Sequence, residues 1–230
     1  DAVVSRGLGD VYKRQFTTDS YVISPLFFPG GNIGELAVHG TVNDLAVSGA
    51  KPLYLSCGLI IEAGFPTDSL RKIVKSMKRA ADEAGVKIVT GDTKVVHRGA
   101  ADQLFINTAG VGVIRSGISM SAQKIQVGDS IIVNGYLGDH GAAILLARKE
   151  LDIQAEIESD TQALNGLVDT ILDVCMEVRA MRDVTRGGLA TVLNEFAMSS
   201  KVGIRLFEKK LPVRELSLIH ISEPTRHNSI

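Results

Sequence analysis

Residues 33–62 read IGELAVHGTVNDLAVSGAKPLYLSCGLIIE, and this stretch decides the fold. Ile33, Leu36, Ala37, Val42, Leu45 and Ala46 recur near a 3.6-residue period, which predicts a buried helix, with Gly49 and Pro52 as its stop. PLYLSCGLII then predicts a strand. Upstream, FTTDSYVIS from Phe16 predicts a short strand, and the loop PLFFPGGN is broken by Pro29-Gly30-Gly31. Downstream, Thr67 is expected to cap a second helix that carries Leu70, Ile73, Val74, Met77, Ala81 and Ala84 on one face and closes at Gly85. VKIVT and LFINTAGVGVI predict further strands, so residues 16–120 form an α/β layer.

A polar connector over Ser116 to Gly128 predicts a domain boundary. The second domain, residues 121–215, predicts a strand SIIVNGY, a helix GDHGAAILLARKE and a helix over about Leu164 to Val178. The loop MRDVTRGG, a helix from Leu189 to Met198 and a strand VGIRLF complete it. That domain reads as incomplete, with part of its sheet missing and a strand edge exposed. Residues 1–15 (DAVVSRGLGDVYKRQ) and 216–230 resemble translated sequencing-adapter read-through and are expected to be a non-native leader and tail.

The 230 residues are 45% hydrophobic, enough for a real core. Acidic and basic residues nearly cancel, 26 against 25, which gives no electrostatic argument for nucleic acid or an anionic membrane as partner. No apolar run is long enough to span a bilayer, so the expected location is the cytoplasm. Cys57 and Cys175 both lie in apolar neighbourhoods and read as reduced core thiols.

Chemistry is expected from four aspartates, Asp19, Asp44, Asp92 and Asp183, which read as standing at turns and helix ends beside apolar strands. Magnesium takes oxygen ligands and usually binds through one or two carboxylates plus substrate phosphates, so scattered aspartates can share ions. Each of the four would equally serve as a helix cap or turn closure. GDTKV at 91–95 places a carboxylate, Thr93 and Lys94 at a predicted strand end. DVTRGGLA at 183–190 sets Thr185 and Arg186 before Gly187 and Gly188, which open a helix whose free N–H groups attract anions. Arg186 adds a bidentate phosphate contact, and the alternative is turn chemistry with an exposed Arg.

Six ordered blocks then carry a resemblance: TTDSYVISPLFFPGG, IGELAVHGTVNDLAVSGAKPLYLS, IVTGDTKVV, LFINTAGVG, GDHGAAIL and RDVTRGGLATVLNE. Together they resemble the HypE family, of the ATP-binding superfamily that includes aminoimidazole ribonucleotide synthetase and selenophosphate synthetase. The resemblance implies a two-domain PurM-like α/β fold, a homodimer, ATP and magnesium. The implied reaction is an ATP-dependent dehydration of a carbamoylated C-terminal cysteine to a thiocyanate, which supplies cyanide for nickel–iron hydrogenase. The HypF carbamoyltransferase and the HypC–HypD complex are the implied partners.

On matching positions the resemblance points to Asp19, Asn43, Asp44, Asp92 and Asp183 for metal and phosphate, with Thr93, Lys94, Thr185 and Arg186 beside them. His140 is the expected proton shuttle near the carbamoyl site, or else a histidine packed at a helix start. His39 and His97 read as structural or solvent-facing. The family's glycine-rich opening segment and cysteine tail have no counterpart here, so the chain is not expected to complete that reaction. Another synthetase of the superfamily, or a non-catalytic nucleotide-binding docking module, remains the alternative.

Overall fold

The computed structural model describes residues 13–149 and 156–214. The expected tail, and all but the last three residues of the expected leader, lie outside the described residues. Strand β1 (Arg14–Tyr21) starts two residues before Phe16, and Arg14 and Gln15 pair with Val113 and Gly112. Strands β2 (Phe27–Phe28) and β3 (Gly31–Asn32) make a small hairpin of the PLFFPGGN loop. Helix α1 (Ile33–Val47), β4 (Ala50–Glu62), α2 (Thr67–Glu83), β5 (Lys87–Val96) and β6 (Leu104–Ile114) follow.

One four-stranded sheet runs β1-β6-β4-β5, antiparallel except for the parallel pair β4–β5 that α2 connects. Residues alternate between the two faces of a strand. Thr108 of β6 donates a hydrogen bond to the Ala37 carbonyl of α1, which fixes the even-numbered face of β6 toward the helices. Leu104, Ile106 and Thr108 are accordingly buried, whereas Asn107 is exposed. Ile33, Ala37, Val42, Leu45 and Ala46 of α1 have no more than trace exposure, as the apolar period predicts, while Leu36 is only partly buried and Val38, outside the predicted period, is buried too.

Helix α2 departs from expectation in two ways. Its N-cap is Pro66, with no side-chain cap bond, because Thr67 is already helical. Its buried face is Ile73, Ser76, Met77, Ala80 and Ala81, while Val74 is 46% exposed. Ser76 draws the face round by donating to Asn32 Oδ1 at 2.7 Å, the same oxygen that caps α1.

The second half supplies α3 (Asp139–Ala147), α4 (Asn165–Val174) and α5 (Gly188–Ser200). Val168 and Leu172 of α4 join Ile118 of the connector and Ala46 of α1 in one apolar cluster. The expected strands SIIVNGY and VGIRLF are not formed among the described residues. A strand exists only where its backbone groups meet a partner's. These two segments find none among the described residues, and Ile132 stays 89% exposed. Cys57, within β4, is half-buried, and burial pushes its thiol up from the usual range. Cys175 corrects the core-thiol expectation, because it lies exposed just past the end of α4.

Truncating the fully buried Leu45 to Ala should lower the unfolding free energy by about 3 kcal/mol. The check is the urea midpoint at an unchanged slope.

Candidate functional site

Residues 17, 19 and 21 share the β1 face that looks toward α1. Thr17 Oγ1 donates to Asp44 Oδ2 at 2.9 Å, which ties the strand to the last turn of α1 and brings Asp19 and Asp44 to one end of the molecule. The loop ahead of α5 closes the same end. Arg186 Nη2 pairs with Asp19 Oδ1 at 2.6 Å, Thr185 Oγ1 donates to Asp183 Oδ2 at 3.1 Å, and Arg182 lies 3.8 Å from Asp183. Gly187 and Gly188, both at positive φ, start α5 just behind Arg186. A β-carbon at Gly187 would fall 2.1 Å from Thr191 Oγ1, so only glycine allows this approach.

The electrostatics identify the site as short of positive charge. Burial pushes the Asp44 carboxyl above the usual carboxylate range; Asp183 and Asp19 add to the rise, against the Thr17 hydrogen bond and Arg182. Three carboxylates within mutual Coulomb reach repel, and the charges that offset them are two arginines on a loop. An oxygen-only donor set of this kind suits a hard cation. Among the described residues no three acidic or imidazole groups stand close enough to hold an ion by themselves. The set therefore fits magnesium that arrives with phosphate, which would bring the remaining oxygens.

Several sequence expectations need correction. Of the four aspartates, Asp183 lies in a loop and Asp44 in the last turn of α1, as read from the sequence, whereas Asp19 and Asp92 are inside strands. GDTKV is the body of β5, not its end. Asp92 aligns with Gly58, Asn107 and Ser20, one row along from Asp19, so it points from the opposite face of the sheet. Three strand spacings of about 4.8 Å put roughly 14 Å between the backbones of Asp19 and Asp92. Within one chain Asp92 does not join the other three. It pairs instead with Lys94 at 3.3 Å and accepts from the Thr93 N–H.

Asn43 is also diverted. Its amide donates to the Gln162 carbonyl at 3.0 Å and accepts from the Leu164 N–H at 2.7 Å, so it clamps the 162–164 segment and is turned away from any phosphate at the aspartates. His140 Nδ1 meets Ser159 Oγ at 2.8 Å, and its ring stands edge-on to Phe28. Burial lowers its pKa, the setting of a packed neutral imidazole at the start of α3. His39, buried by α1, bonds Thr161 Oγ1 at 3.3 Å, a structural role as expected. The sequence reading missed Thr17, Tyr21 and Arg182. The first two were signalled by strand alternation with Asp19, and the third by adjacency to Asp183.

Comparison with known proteins places this geometry. The model of the AIR synthase related protein, N-terminal domain, matches residues 1–114, and that of the C-terminal domain matches residues 126–225. The carbamoyl dehydratase HypE of Bradyrhizobium diazoefficiens is 57% identical over 203 residues, 88% of this chain and 59% of that protein. The chain thus spans less than two thirds of that relative's length. A crystal structure of a HypE–HypF complex matches with TM-score 0.87 at 51% identity, over 90% of this chain and 68% of that one. A crystal structure of the hydrogenase maturation protein HypE in complex with ATP matches with TM-score 0.88 at 48% identity, over 95% and 65%. Among AIR synthase related proteins, the chain belongs to the HypE family.

Replacing Asp44 by Asn should make the unliganded chain more stable than wild type at pH 7. The sign follows from the raised carboxyl: in the wild type, stability is present at low pH and is lost as pH rises from the unfolded carboxylate range through the higher folded value. Urea midpoints between pH 4 and pH 7 check this, and the fall should be smaller in the variant.

Proposed function

We propose that this chain holds the triphosphate of magnesium-bound ATP between Asp19, Asp44 and Asp183, for the ATP-dependent dehydration of a carbamoyl group in hydrogenase maturation. The observation that carries the reading is the convergence of three partly buried carboxylates with Arg186 and the glycine-started N-terminus of α5. Support also comes from relatives whose names include carbamoyl dehydratase and from a family structure that contains ATP.

The residues divide the work. An amide oxygen leaves poorly; taking the γ-phosphoryl group of ATP, with ADP released, makes it a good leaving group, and loss of phosphate together with the amide protons leaves the nitrile; magnesium, when bound, would supply charge neutralisation for the phosphoryl transfer. Asp19, Asp44 and Asp183 would hold the ion. Arg186 releases Asp19 to the ion and turns its fork onto phosphate, so that both members of the former pair keep a counter-charge. The N–H groups that begin α5 then face the anion. Thr93, Lys94 and Asp92 belong to β5, at the far edge of the sheet, and take no part in this half of the site.

The carbamoyl group would come from HypF, and the cyano product would pass to HypC–HypD on its way to hydrogenase iron; the HypE–HypF structure supports HypF as a partner. Cys57 lies in a strand and Cys175 at the end of a helix, so neither sits on a flexible tail that could carry the carbamoyl group. A homodimer is part of the proposal. Phe16, Tyr54 and Ile60 are 65%, 47% and 42% exposed on the sheet face away from the helices, and a second copy would cover them. No described helix is long and apolar enough to cross a membrane, and net charge is −1; we place the protein in the cytoplasm, without a nucleic-acid partner.

Calorimetric titration with magnesium and ATP should give one nucleotide per chain. Arg186→Ala should weaken binding about tenfold, as loss of a charge-assisted phosphate contact does. A carbamoylated-cysteine peptide added with ATP should lose the mass of one water. Nucleotide binding without any such loss would overturn the dehydratase reading, and no binding would overturn the site.

A further inference from the structure

A second cavity lies on the side of α1 turned away from the three aspartates. Glu35 and His39, one turn apart on α1, line it together with Arg79 and Glu83, one turn apart on α2, and residues 161–166 close it. Its volume of about 590 Å³ suits a small molecule. The fold builds its walls. The Ser159 N–H donates to the Pro29 carbonyl at 2.8 Å and Asn165 Nδ2 to the Ala84 carbonyl at 2.9 Å, which ties the closing segment at both ends. Gly30, at φ 86°, permits the first tie, because a β-carbon there would lie 2.6 Å from the Ser159 nitrogen.

His39 is the informative side chain, because it is only 7% exposed and yet half unserved. Its Nδ1 meets Thr161 Oγ1, whereas Nε2 has no hydrogen-bond partner among the described residues. No fully buried side-chain nitrogen or oxygen among those residues lacks a partner, so Nε2 has open space before it, and the space that His39 lines is this cavity. The charges then select the ligand. Two carboxylates and one guanidinium line the cavity, which leaves one negative charge in excess. Arg79 has no charge to spare for an anion, since it pairs with Glu35 through Nη2 and stands 3.9 Å from Glu83 through Nε. Burial lowers the His39 pKa against the pull of Glu35 and Glu83, so the imidazole is neutral and, with Nδ1 donating to Thr161, presents a lone pair at Nε2. Among the described residues no three acidic or imidazole groups stand close enough to hold a metal ion. An organic cation satisfies all of these conditions.

We propose that the cavity between α1, α2 and residues 161–166 binds a small organic cation, an alkylammonium or guanidinium group, with the Glu83 carboxylate as counter-charge and His39 Nε2 as hydrogen-bond acceptor. A free amine and the basic side chain of a peptide present the same group. The site is separate from the aspartates and does not rest on the nucleotide reading.

The test is a titration of the whole chain with butylammonium, followed in nitrogen-15 spectra of the histidine side chains, with butyrate as the anionic control. Saturable shifts, largest at His39 Nε2, are expected with butylammonium and none with butyrate. Glu83→Gln changes a side chain that is 62% exposed, so packing is kept, and it should raise the half-saturation concentration about threefold, as loss of a solvent-screened ion pair does. His39→Asn leaves an amide where Nδ1 meets Thr161 and removes Nε2; followed by the change in melting temperature, it should raise half-saturation about tenfold. Circular dichroism checks the fold of both variants, and Glu83→Gln decides alone if His39→Asn unfolds. A lysine-containing tripeptide titrated in parallel separates the sources: tighter binding than butylammonium assigns the cavity to a protein side chain, weaker binding to a free amine. Absence of saturation, equal binding of butyrate, or folded variants whose curves overlie wild type would overturn the proposal. Displacement of butylammonium by magnesium and ATP would overturn it as well, because the cavity would then be part of the nucleotide site.

Discussion

The contact between two buried hydroxyls, Thr41 on α1 and Thr108 on β6, governs most of the architecture around it. It sits in the middle of α1, the helix that the sheet, α2 and α4 all touch. It also sets the phase of two periodic elements at once: which residues of β6 face inward, and which side of α1 faces β1. From that phase Asp44 must meet Thr17 and Asp19, and Glu35, His39 and Asn43 must turn to the opposite side. There Glu35 pairs with Arg79, and the other two hold the segment that leads into α4. A slip by one residue in either element would carry the aspartates to different surfaces.

That arrangement makes the site a compromise between stability and binding. Asp44 is held where burial and the nearby Asp183 and Asp19 disfavour its charge, and the arginines that pair with those two neighbours come from a loop of the other half of the chain. The Asp19–Arg186 pair is a contact that a phosphate can replace at little cost, since both partners gain a new counter-charge. A protein that binds nothing here would be expected to fill these positions with apolar or singly charged residues.

Much of the fold was legible in the sequence because α1, β4 and β6 are buried, and burial imposes period on residues such as Ile33, Val42, Leu55 and Ile106. The second half was less so. Ser130 to Tyr136 and Val202 to Phe207 have strand composition, but composition does not supply a hydrogen-bonding neighbour, and no local signal says whether one is present. The site was half legible. Asp19, Asp44, Asp183 and Arg186 converge on one end of the molecule, whereas Asp92 does not, because strand parity depends on register, and the β4–β5 pairing shifts between Leu55 and Ser56 in a way that no motif reveals. Asn43 departs for a related reason: residues adjacent on a helix point about 100° apart, so it cannot share the surface of Asp44.

The most direct measurement of the central claim is a crystal structure of the chain grown with manganese, as an anomalous stand-in for magnesium, and a non-hydrolysable ATP analogue. An anomalous peak is expected beside Asp44 and Asp183, next to the analogue's phosphates, with Arg186 moved off Asp19 onto a phosphate oxygen. A metal and triphosphate seated beside Asp92 on the far sheet face, with the Asp19–Arg186 pair intact, would contradict it.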